Sequence, residues 1–247
     1  MTASNPIQLP DPASLSAGLL PTLHPRFADP AVTSELRARW AATRRMRIED
    51  ALVPGLADEL AEAACEHPFG FFEKHVSEVR AVFWRQLQGF PEASVSPWAA
   101  LAKALETPSF RPIEKARRLF QVDLPALVSA VTGQALHASG GNGIAIDYYT
   151  RGSYLDAHTD QGADRLIAYV VGLTRDVWPA EDGGHLEFLA PDEVTVVDRV
   201  APGWGTLDLF CIYPLLRPHR VPLLKRSVTR LSINGWLAGE LKGPGEE

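Results

Sequence analysis

The sequence predicts a mainly β fold with α-helices, in which a double-stranded β-helix (jelly roll) is buttressed by N-terminal helices. The chain has 247 residues and 46% hydrophobic content, enough for one continuous core. Its first half carries helical patterns. After Gly140, about eight short runs rich in β-branched and aromatic residues follow at intervals of roughly ten residues, and Gly, Pro or Asp clusters separate most of them.

These runs are predicted to form antiparallel strands, because no helical segment separates them. Strands without intervening helices favour an antiparallel sandwich or barrel over a parallel α/β sheet. The runs read IAIDYY, YLDAHT, RLIAYVVGL, HLEFL, EVTVV, GTLDLF, HRVPLL and SVTRLSINGWL. We expect the jelly-roll core to span about residues 140–238.

The N-terminal part divides into an arm and a set of helices. Residues 1–30 are rich in Pro, Ser and Ala and predict an extended arm. A single domain is expected over residues 31–247, with its helical part at about 31–135. From Ser34 to Arg47 the pattern predicts a helix with many arginines, which we interpret as a solvated face; a contact for an acidic partner is the alternative.

Further elements follow before the strands. The segment IEDALVPGLADELAEAACEH predicts a short strand, a Pro-Gly turn and a helix with Leu56 and Leu60 on its apolar side. Helices are also predicted around Pro97–Glu106 and from Pro112 to Thr132, where Gly133 is a suitable stop.

Composition limits the partners and the compartment. Lys and Arg number 24 against 30 Asp and Glu, a formal charge of -6 that opposes general binding to nucleic acid or to an anionic membrane. The longest apolar run, near Leu166 to Val171, is far too short to span a bilayer. The amino terminus does not resemble a secretory signal, and two distant cysteines suit a reduced, cytoplasmic setting. The oligomeric state is left open.

Three residues form a candidate metal site. His158 and Asp160 are two apart, so both side chains project to one side of an extended strand or its end. His219 is the best third ligand because it opens a later strand-like run. Two His and one carboxylate form the facial triad of mononuclear Fe(II) oxygenases, which leaves positions open for a bidentate 2-oxo acid and O₂.

A candidate anion anchor follows the third ligand. Arg230 and Ser232 share one face of their predicted strand, so a guanidinium and a hydroxyl can together hold the distal carboxylate of an organic acid. The alternative is a surface strand arginine. If Arg230 is buried, the absence of an anion would be costly.

In order along the chain, these elements resemble the prolyl-4-hydroxylase-like branch of the 2-oxoglutarate- and Fe(II)-dependent dioxygenases. The matching sequences run from Tyr149 to Ser232 and read YTRGSY, HTD, GGHLEF, WGTLDLF, HRV and RLS. The resemblance covers about residues 140–238. Ordered agreement of several elements is much more specific than any one of them.

The resemblance implies roles for the matching residues. His158, Asp160 and His219 would bind Fe(II), and Arg230 would bind the C5 carboxylate of 2-oxoglutarate with help from Ser232. Tyr149 would donate its hydroxyl to the same co-substrate; a packed strand tyrosine is the alternative. The resemblance further implies O₂ as co-substrate and ascorbate as a possible reductant.

One position departs from the family pattern. Some relatives carry a second 2-oxoglutarate-contacting tyrosine on the strand after the first ligands, where this chain has Gly172. Tyr169 is close in sequence but has the opposite strand parity, so it is not expected in the site.

Other candidate sites are weaker. His185 and Glu187 could form a second metal pair, but their alternation with Leu186 and Phe188 is typical of a half-exposed strand; lining the substrate opening is a further alternative. The remaining histidines lack a suitably spaced carboxylate and are expected to be structural: His24, His67, His75 and His137. No Gly-x-Ser-x-Gly elbow, Walker phosphate loop or Cys-x-x-Cys pair is present, and the glycine-rich segment at 139–143 is interpreted as a turn because a strand follows it.

The resemblance implies a hydroxylase that couples oxidative decarboxylation of 2-oxoglutarate to attack on an unactivated C–H bond. Related halogenases lack the carboxylate ligand, so Asp160 favours hydroxylation. The expected substrate is an amino-acid residue of a protein or peptide; a free amino acid or small natural-product intermediate is the alternative. Asp147, Arg151, Arg165 and Trp236 are candidates for the pocket wall. A metal-binding or interaction protein without turnover is the non-enzyme alternative, which Arg230 disfavours.

Overall fold

The structure is a computed structural model that describes residues 20–66, 72–73, 80–83, 111–139, 145–162 and 164–239. Several sequence predictions lie outside these residues. They are the first part of the arm, the helix near Pro97–Glu106, His67 and His75, and most of the glycine-rich turn.

The described part of the N-terminal half is mainly helical, as predicted. Its helices are α1 (Pro30–Thr43), α2 (Leu56–Glu66), α3 (Arg111–Arg118) and α4 (Leu124–Thr132). A π-helical turn, Leu119–Asp123, joins α3 to α4. Gly133 ends α4 with a left-handed φ of 73°, which glycine adopts without steric cost. Among the described residues, no helix combines the length and apolarity needed to cross a membrane.

The predicted end of the first helix was wrong. Helix α1 ends at Thr43, Arg44 takes a left-handed φ of 56°, and strand β1 (Arg45–Ile48) follows. In β1 the buried side chains of Met46 and Ile48 alternate with two arginines. An arginine-rich segment carries little apolar signal, so the change from helical to strand period was hidden.

The strands form one 8-stranded and one 4-stranded sheet, and every pairing among them is antiparallel. The larger sheet has the order β1-β10-β7-β12-β5-β3-β2, with β4 also paired to β12, and the smaller sheet has the order β6-β11-β8-β9. The remaining strands are β2 (Phe72–Glu73), β3 (Arg80–Phe83), β4 (Leu136–Ala138), β5 (Ala145–Tyr149), β6 (Leu155–His158), β7 (Arg165–Leu173), β8 (Leu186–Leu189), β9 (Val196–Val200), β10 (Trp204–Cys211), β11 (His219–Val221) and β12 (Arg230–Gly239). This confirms the predicted jelly-roll fold class, and each of the eight predicted runs overlaps a strand.

One strand lies later than predicted. The run from Glu193 was expected to be extended, yet β9 begins at Val196. The Asp192 carboxylate accepts hydrogen bonds from the backbone N–H groups of Val194 and Thr195, at 2.9 and 2.8 Å, and from the Thr195 hydroxyl at 2.6 Å. This local competition with the strand ladder makes the segment a turn.

The two faces of the larger sheet have different environments. Its outer face packs on the helices in one apolar cluster, to which β7 contributes Ile167, Tyr169 and Val171. Residues of opposite parity face the smaller sheet, where Ala168 packs with Phe188 from β8. Because side chains alternate along a strand, helix-facing residues are apolar while intervening positions are free to carry chemistry.

Side-chain contacts outside the strand ladders attach the N-terminal segment to the helices and join the edges of the two sheets. Asp123, fully buried, accepts hydrogen bonds from the backbone N–H and hydroxyl of Thr22 at 3.1 and 2.6 Å and from Arg118 at 2.7 Å. At the other side, Arg45 on β1 pairs with Asp198 on β9 at 2.7 Å, so an ion pair joins edge strands of the two sheets.

Candidate active site

The three predicted metal ligands converge. His158 ends β6 and lies directly opposite His219, the first residue of β11. The Asp160 carboxylate places one oxygen 3.3 Å from His158 Nε2 and the other 3.3 Å from His219 Nε2. One candidate ligand atom from each residue lies within 4.8 Å of the others, and this is the only such group of three among the described residues.

Asp160 reaches the site through its backbone conformation and not through strand alternation alone. Strand β6 ends at His158, and Asp160 has a left-handed φ of 56°. Aspartate tolerates this region better than most residues because its short polar side chain can form local hydrogen bonds. The spacing of two was therefore the right signal, but a turn brings the carboxylate back toward the imidazoles.

Second hydrogen bonds orient both imidazoles. His158 Nδ1 lies 2.8 Å from the carbonyl of Asp156, and His219 Nδ1 lies 3.2 Å from the carbonyl of Arg217. A carbonyl only accepts, so each Nδ1 carries a hydrogen and each Nε2 is the ring nitrogen that lies toward Asp160. Metal-binding histidines are typically fixed in this way.

The Asp160 carboxylate is held ionised despite its environment. Burial by itself raises the pKa of a carboxyl group. Here the hydrogen bonds and charges of His158 and His219 more than offset it, and the pKa of Asp160 lies well below its usual value. A carboxylate with the Nε2 atoms of two imidazoles beside it is a donor set for a divalent cation.

Arg230 and the triad line the same cavity, which holds about 520 Å³ of empty space including its open mouth. We call it the main cavity. Arg230 is only 6% exposed, and its Nε and Nη1 atoms are buried without a hydrogen-bond partner in the described part of the chain. Buried guanidinium N–H groups are normally paired, so this geometry points to an anion.

A smaller space adjoins Arg230 on its other side. This anchor cavity, with about 280 Å³ of empty space including its opening to solvent, is lined by Arg230, Ser232 and Gly172, among other residues. The Ser232 hydroxyl is buried and also lacks a partner among the described residues. Arg230 thus links the metal-ligand end of the site to a polar pocket that suits a carboxylate.

Tyr149 also lines the main cavity. It pairs with Arg230 across β5 and β12, and the guanidinium carbon lies 4.6 Å from its ring centroid. Burial raises the pKa of the Tyr149 phenol far above its usual value, and the nearby Asp147 charge adds to this. The hydroxyl therefore remains a hydrogen-bond donor at any physiological pH.

The departure at Gly172 has a steric cause. A Cβ at this position would come within 2.5 Å of both the Gly203 carbonyl oxygen and Thr206 Oγ1. The turn before β10 therefore occupies the space that a larger side chain would need. Tyr169 faces the helices and stacks on Phe120 with the ring centroids 5.6 Å apart.

Of the four residues predicted as candidates for the pocket wall, two line the main cavity and two do not. Asp147 and Trp236 line the main cavity, and Arg165 stacks over Trp236 at 3.6 Å while donating to the Asp160 carbonyl. Arg151 is exposed and does not line the cavity. Sequence reasoning missed Asn234, which donates to the Asp147 carboxylate; its parity with Arg230 on β12 was the available signal.

His185 and Glu187 belong to no group of three candidate metal ligands among the described residues, and neither lines the main cavity. The buried Glu187 accepts from Arg199 Nε at 2.8 Å and from Arg220 Nε at 2.9 Å. These arginines are its neighbours across β9 and β11. The strand was predicted to be half-exposed, but Glu187 is buried and forms ion pairs with both arginines.

Comparison with known proteins supports the resemblance to the oxygenases over the jelly-roll region. Residues 144–238 match the family described as the 2OG-Fe(II) oxygenase superfamily. This range contains the triad, Tyr149, Arg230 and Ser232. The jelly-roll region is therefore similar to this superfamily.

Similar sequences point to one branch of the oxygenases. The chain is 32% identical over 126 residues to prolyl 3,4-dihydroxylase OGFOD1 of Ostreococcus tauri, covering 48% of this chain and 24% of that protein. It is 29% identical over 131 residues to prolyl 3-hydroxylase OGFOD1 of Mus musculus, covering 51% and 24%. The chain thus spans about a quarter of the length of these relatives.

Solved structures share the oxygenase fold. A Trichoplax adhaerens prolyl hydroxylase, solved with a hypoxia-inducible-factor peptide, matches with a TM-score of 0.59 at 16% identity, covering 85% of this chain and 90% of that chain. A Pseudomonas putida prolyl-4-hydroxylase matches with a TM-score of 0.51 at 18% identity, covering 85% and 100%.

The site residues fit the two groups that the superfamily name implies. Two imidazole lone pairs and one carboxylate suit Fe(II) and leave coordination positions open. The partnerless N–H groups of Arg230 and the Ser232 hydroxyl suit the far carboxylate of 2-oxoglutarate.

Proposed function

We propose that this protein is an Fe(II)- and 2-oxoglutarate-dependent hydroxylase of an unactivated C–H bond in an amino-acid residue of a protein or peptide. The observation that carries the proposal is Arg230. It presents two buried, partnerless N–H groups to the same cavity that His158, Asp160 and His219 line. A site for a metal alone has no need of such an anchor.

The proposed roles follow from position. His158, Asp160 and His219 hold Fe(II); Arg230 and Ser232 hold the C5 carboxylate of 2-oxoglutarate; the Tyr149 hydroxyl donates to the same molecule. When bound together with O₂, Fe(II) and 2-oxoglutarate would supply an oxidant able to break a C–H bond, with succinate and CO₂ as co-products.

The remaining walls of the main cavity position the substrate and limit water. Leu186, Phe210 and Val221 give it an apolar lining, while Asp147 and Asn234 give it polar groups. Trp236 and the stacked Arg165 lie beside Asp160, where a substrate side chain would approach the metal. Such placement aims one C–H bond at the oxidant and restricts side reactions.

The substrate class rests on the relatives. The similar proteins are named as a prolyl 3,4-dihydroxylase and a prolyl 3-hydroxylase, so a prolyl residue is the first substrate to test. A free amino acid or small natural-product intermediate is the competing substrate class. We propose ascorbate as the reductant that maintains Fe(II).

The test has two stages. Anaerobic addition of Fe(II) and 2-oxoglutarate should give a weak visible charge-transfer band, and Arg230→Met should lose it at the same co-substrate concentration. Succinate formation is then measured, with and without ascorbate, against proline-containing peptides and free amino acids, and hydroxylated product is identified by mass spectrometry. No band in the wild-type protein would support the metal-binding alternative, and succinate coupled only to free amino acids would refute a peptide substrate.

A further inference from the structure

The anchor cavity contains a second arginine that the proposed chemistry does not use. Arg47 lies on β1, directly opposite Asp208 on β10, and both line this cavity with Arg230. Arg47 Nε donates to Asp208 Oδ1 at 2.7 Å and Nη2 donates to Oδ2 at 2.7 Å. This two-point ion pair is fixed further by the Ala201 carbonyl, 2.6 Å from Arg47 Nη2.

Asp208 is an unfavourable neighbour for an anion anchor. Its side chain is only 10% exposed. Burial raises the pKa of the Asp208 carboxyl, against the opposing hydrogen bonds and charge of Arg47 and the charge of Arg230. Asp208 and Arg230 line the same cavity, so their charges lie close enough to influence each other. An ionised Asp208 without Arg47 would oppose a second carboxylate entering the same cavity.

The charges of the cavity balance around one bound carboxylate. Arg47 and Arg230 contribute two positive charges and Asp208 contributes one negative charge. The net charge of these three residues is one positive unit, which a single bound carboxylate neutralises. Without Arg47 the sum would fall to zero, and without the Asp208 charge it would rise by one unit. In a site of low dielectric, such a change alters ligand affinity more than it would in water.

We propose that Arg47 is a positioning residue for the co-substrate, since by neutralising Asp208 it leaves Arg230 free for the distal carboxylate of 2-oxoglutarate. The inference rests on the proposed function. It assigns to β1, outside the jelly-roll match at residues 144–238, a part in co-substrate affinity.

A structural role for the same ion pair makes a different prediction. If the pair only holds β1 against β10, loss of Arg47 and loss of the Asp208 charge should lower stability and 2-oxoglutarate affinity to the same extent. If Arg47 shields Asp208, loss of Arg47 should weaken anion binding, whereas loss of the Asp208 charge should not. The two substitutions therefore have opposite signs under the proposal.

The experiment measures equilibrium binding of 2-oxoglutarate by calorimetry to protein loaded with redox-inactive Mn(II). Arg47→Met should raise Kd about tenfold, Asp208→Asn should leave it unchanged or lower it, and the double variant should return it to within about threefold of wild type. Arg47→Lys, which keeps the charge, should be much milder than Arg47→Met. The matched probe is 2-oxobutyrate, which has the same chelating end without the distal carboxylate and should bind all variants equally.

The outcomes separate this proposal from the proposed function. Wild-type protein that binds Mn(II) but not 2-oxoglutarate would overturn both. Wild-type binding that Arg47→Met leaves unchanged, or that Asp208→Asn weakens as much as Arg47→Met does, would overturn the shielding role alone. If circular dichroism shows that Arg47→Met is unfolded, Asp208→Asn and Arg47→Lys decide: shielding predicts no weakening by the first and at most slight weakening by the second.

Discussion

Arg230 faces Tyr149 across two paired strands, and its guanidinium carbon lies 4.6 Å from the tyrosine ring centroid. The ring supports the cation through its negative face but cannot accept all of its N–H hydrogen bonds. Arg230 therefore remains a buried cation with donors to spare, beside the three residues that can hold a metal.

The first prediction concerns Arg230 itself. Arg230→Met should raise the Kd for 2-oxoglutarate by about a hundredfold, because a buried charge-assisted contact is lost. The same change is not expected to lower stability in the absence of ligand, since removal of a buried cation with two unpaired N–H atoms offsets the lost contact with the Tyr149 ring. Calorimetry and thermal unfolding check the two effects. Arg151→Met, at an exposed position, is the control and should alter neither; a fall in unligated stability would contradict this account of Arg230.

The second prediction concerns metal binding. Mn(II) at a hundred times its Kd should stabilise the wild-type protein by about 2.7 kcal/mol, and a chelator should reverse this. His219→Ala should abolish the metal-dependent rise in thermal unfolding temperature because one of three ligands is lost. His137 is exposed, so His137→Ala should keep the full rise. Retention of the rise in His219→Ala would show that the metal binds elsewhere.

The third prediction concerns Glu187 and pH. Burial opposes its ionisation, but hydrogen bonds and charges from Arg220 and Arg199 lower the pKa of Glu187 below its usual value. A lowered pKa in the folded state stabilises the protein above the unfolded-state pKa, and this contribution disappears as the pH falls through the folded-state pKa.

Glu187→Gln should therefore cost about 1–3 kcal/mol of unfolding free energy at pH 7, discounted because both arginines are partly exposed. Its difference from wild type should shrink below about pH 4.3, the ordinary glutamate value. Urea unfolding at several pH values measures this. A difference that is independent of pH would mean that packing, not charge, accounts for the role of Glu187.

The fourth prediction concerns Gly172. Gly172→Ala should destabilise the protein by about 1–3 kcal/mol, because the added methyl group would overlap the Gly203 carbonyl oxygen and Thr206 Oγ1. Gly162→Ala is the comparison, since the three atoms nearest to its new methyl group all belong to the side chain of Arg165 and none to the backbone. Chemical unfolding compares the two. Equal stability would show that the turn before β10 can move away from β7 at little cost.

Local patterns in the sequence carried much of the site. A spacing of two marked His158 and Asp160, and the opening of a strand-like run marked His219. Strand parity placed Arg230 and Ser232 on one face and Tyr169 on the other, and the structure has this alternation. Period-two and period-3.6 patterns are properties of neighbouring residues, so a sequence can show them directly.

The sequence by itself determined the fold class, the family resemblance and the identity of the candidate ligands. Only the tertiary structure decided that Asp160 adopts a left-handed conformation. It also decided that the Gly203 carbonyl oxygen and Thr206 Oγ1 occupy the space beside Gly172 that a side chain would need. It decided that Glu187 is buried and paired with two arginines. Finally, it decided the partnership of Arg47 with Asp208, 161 positions apart. Such contacts depend on which strands become neighbours and on how their connections pack, and no short-range pattern encodes that choice.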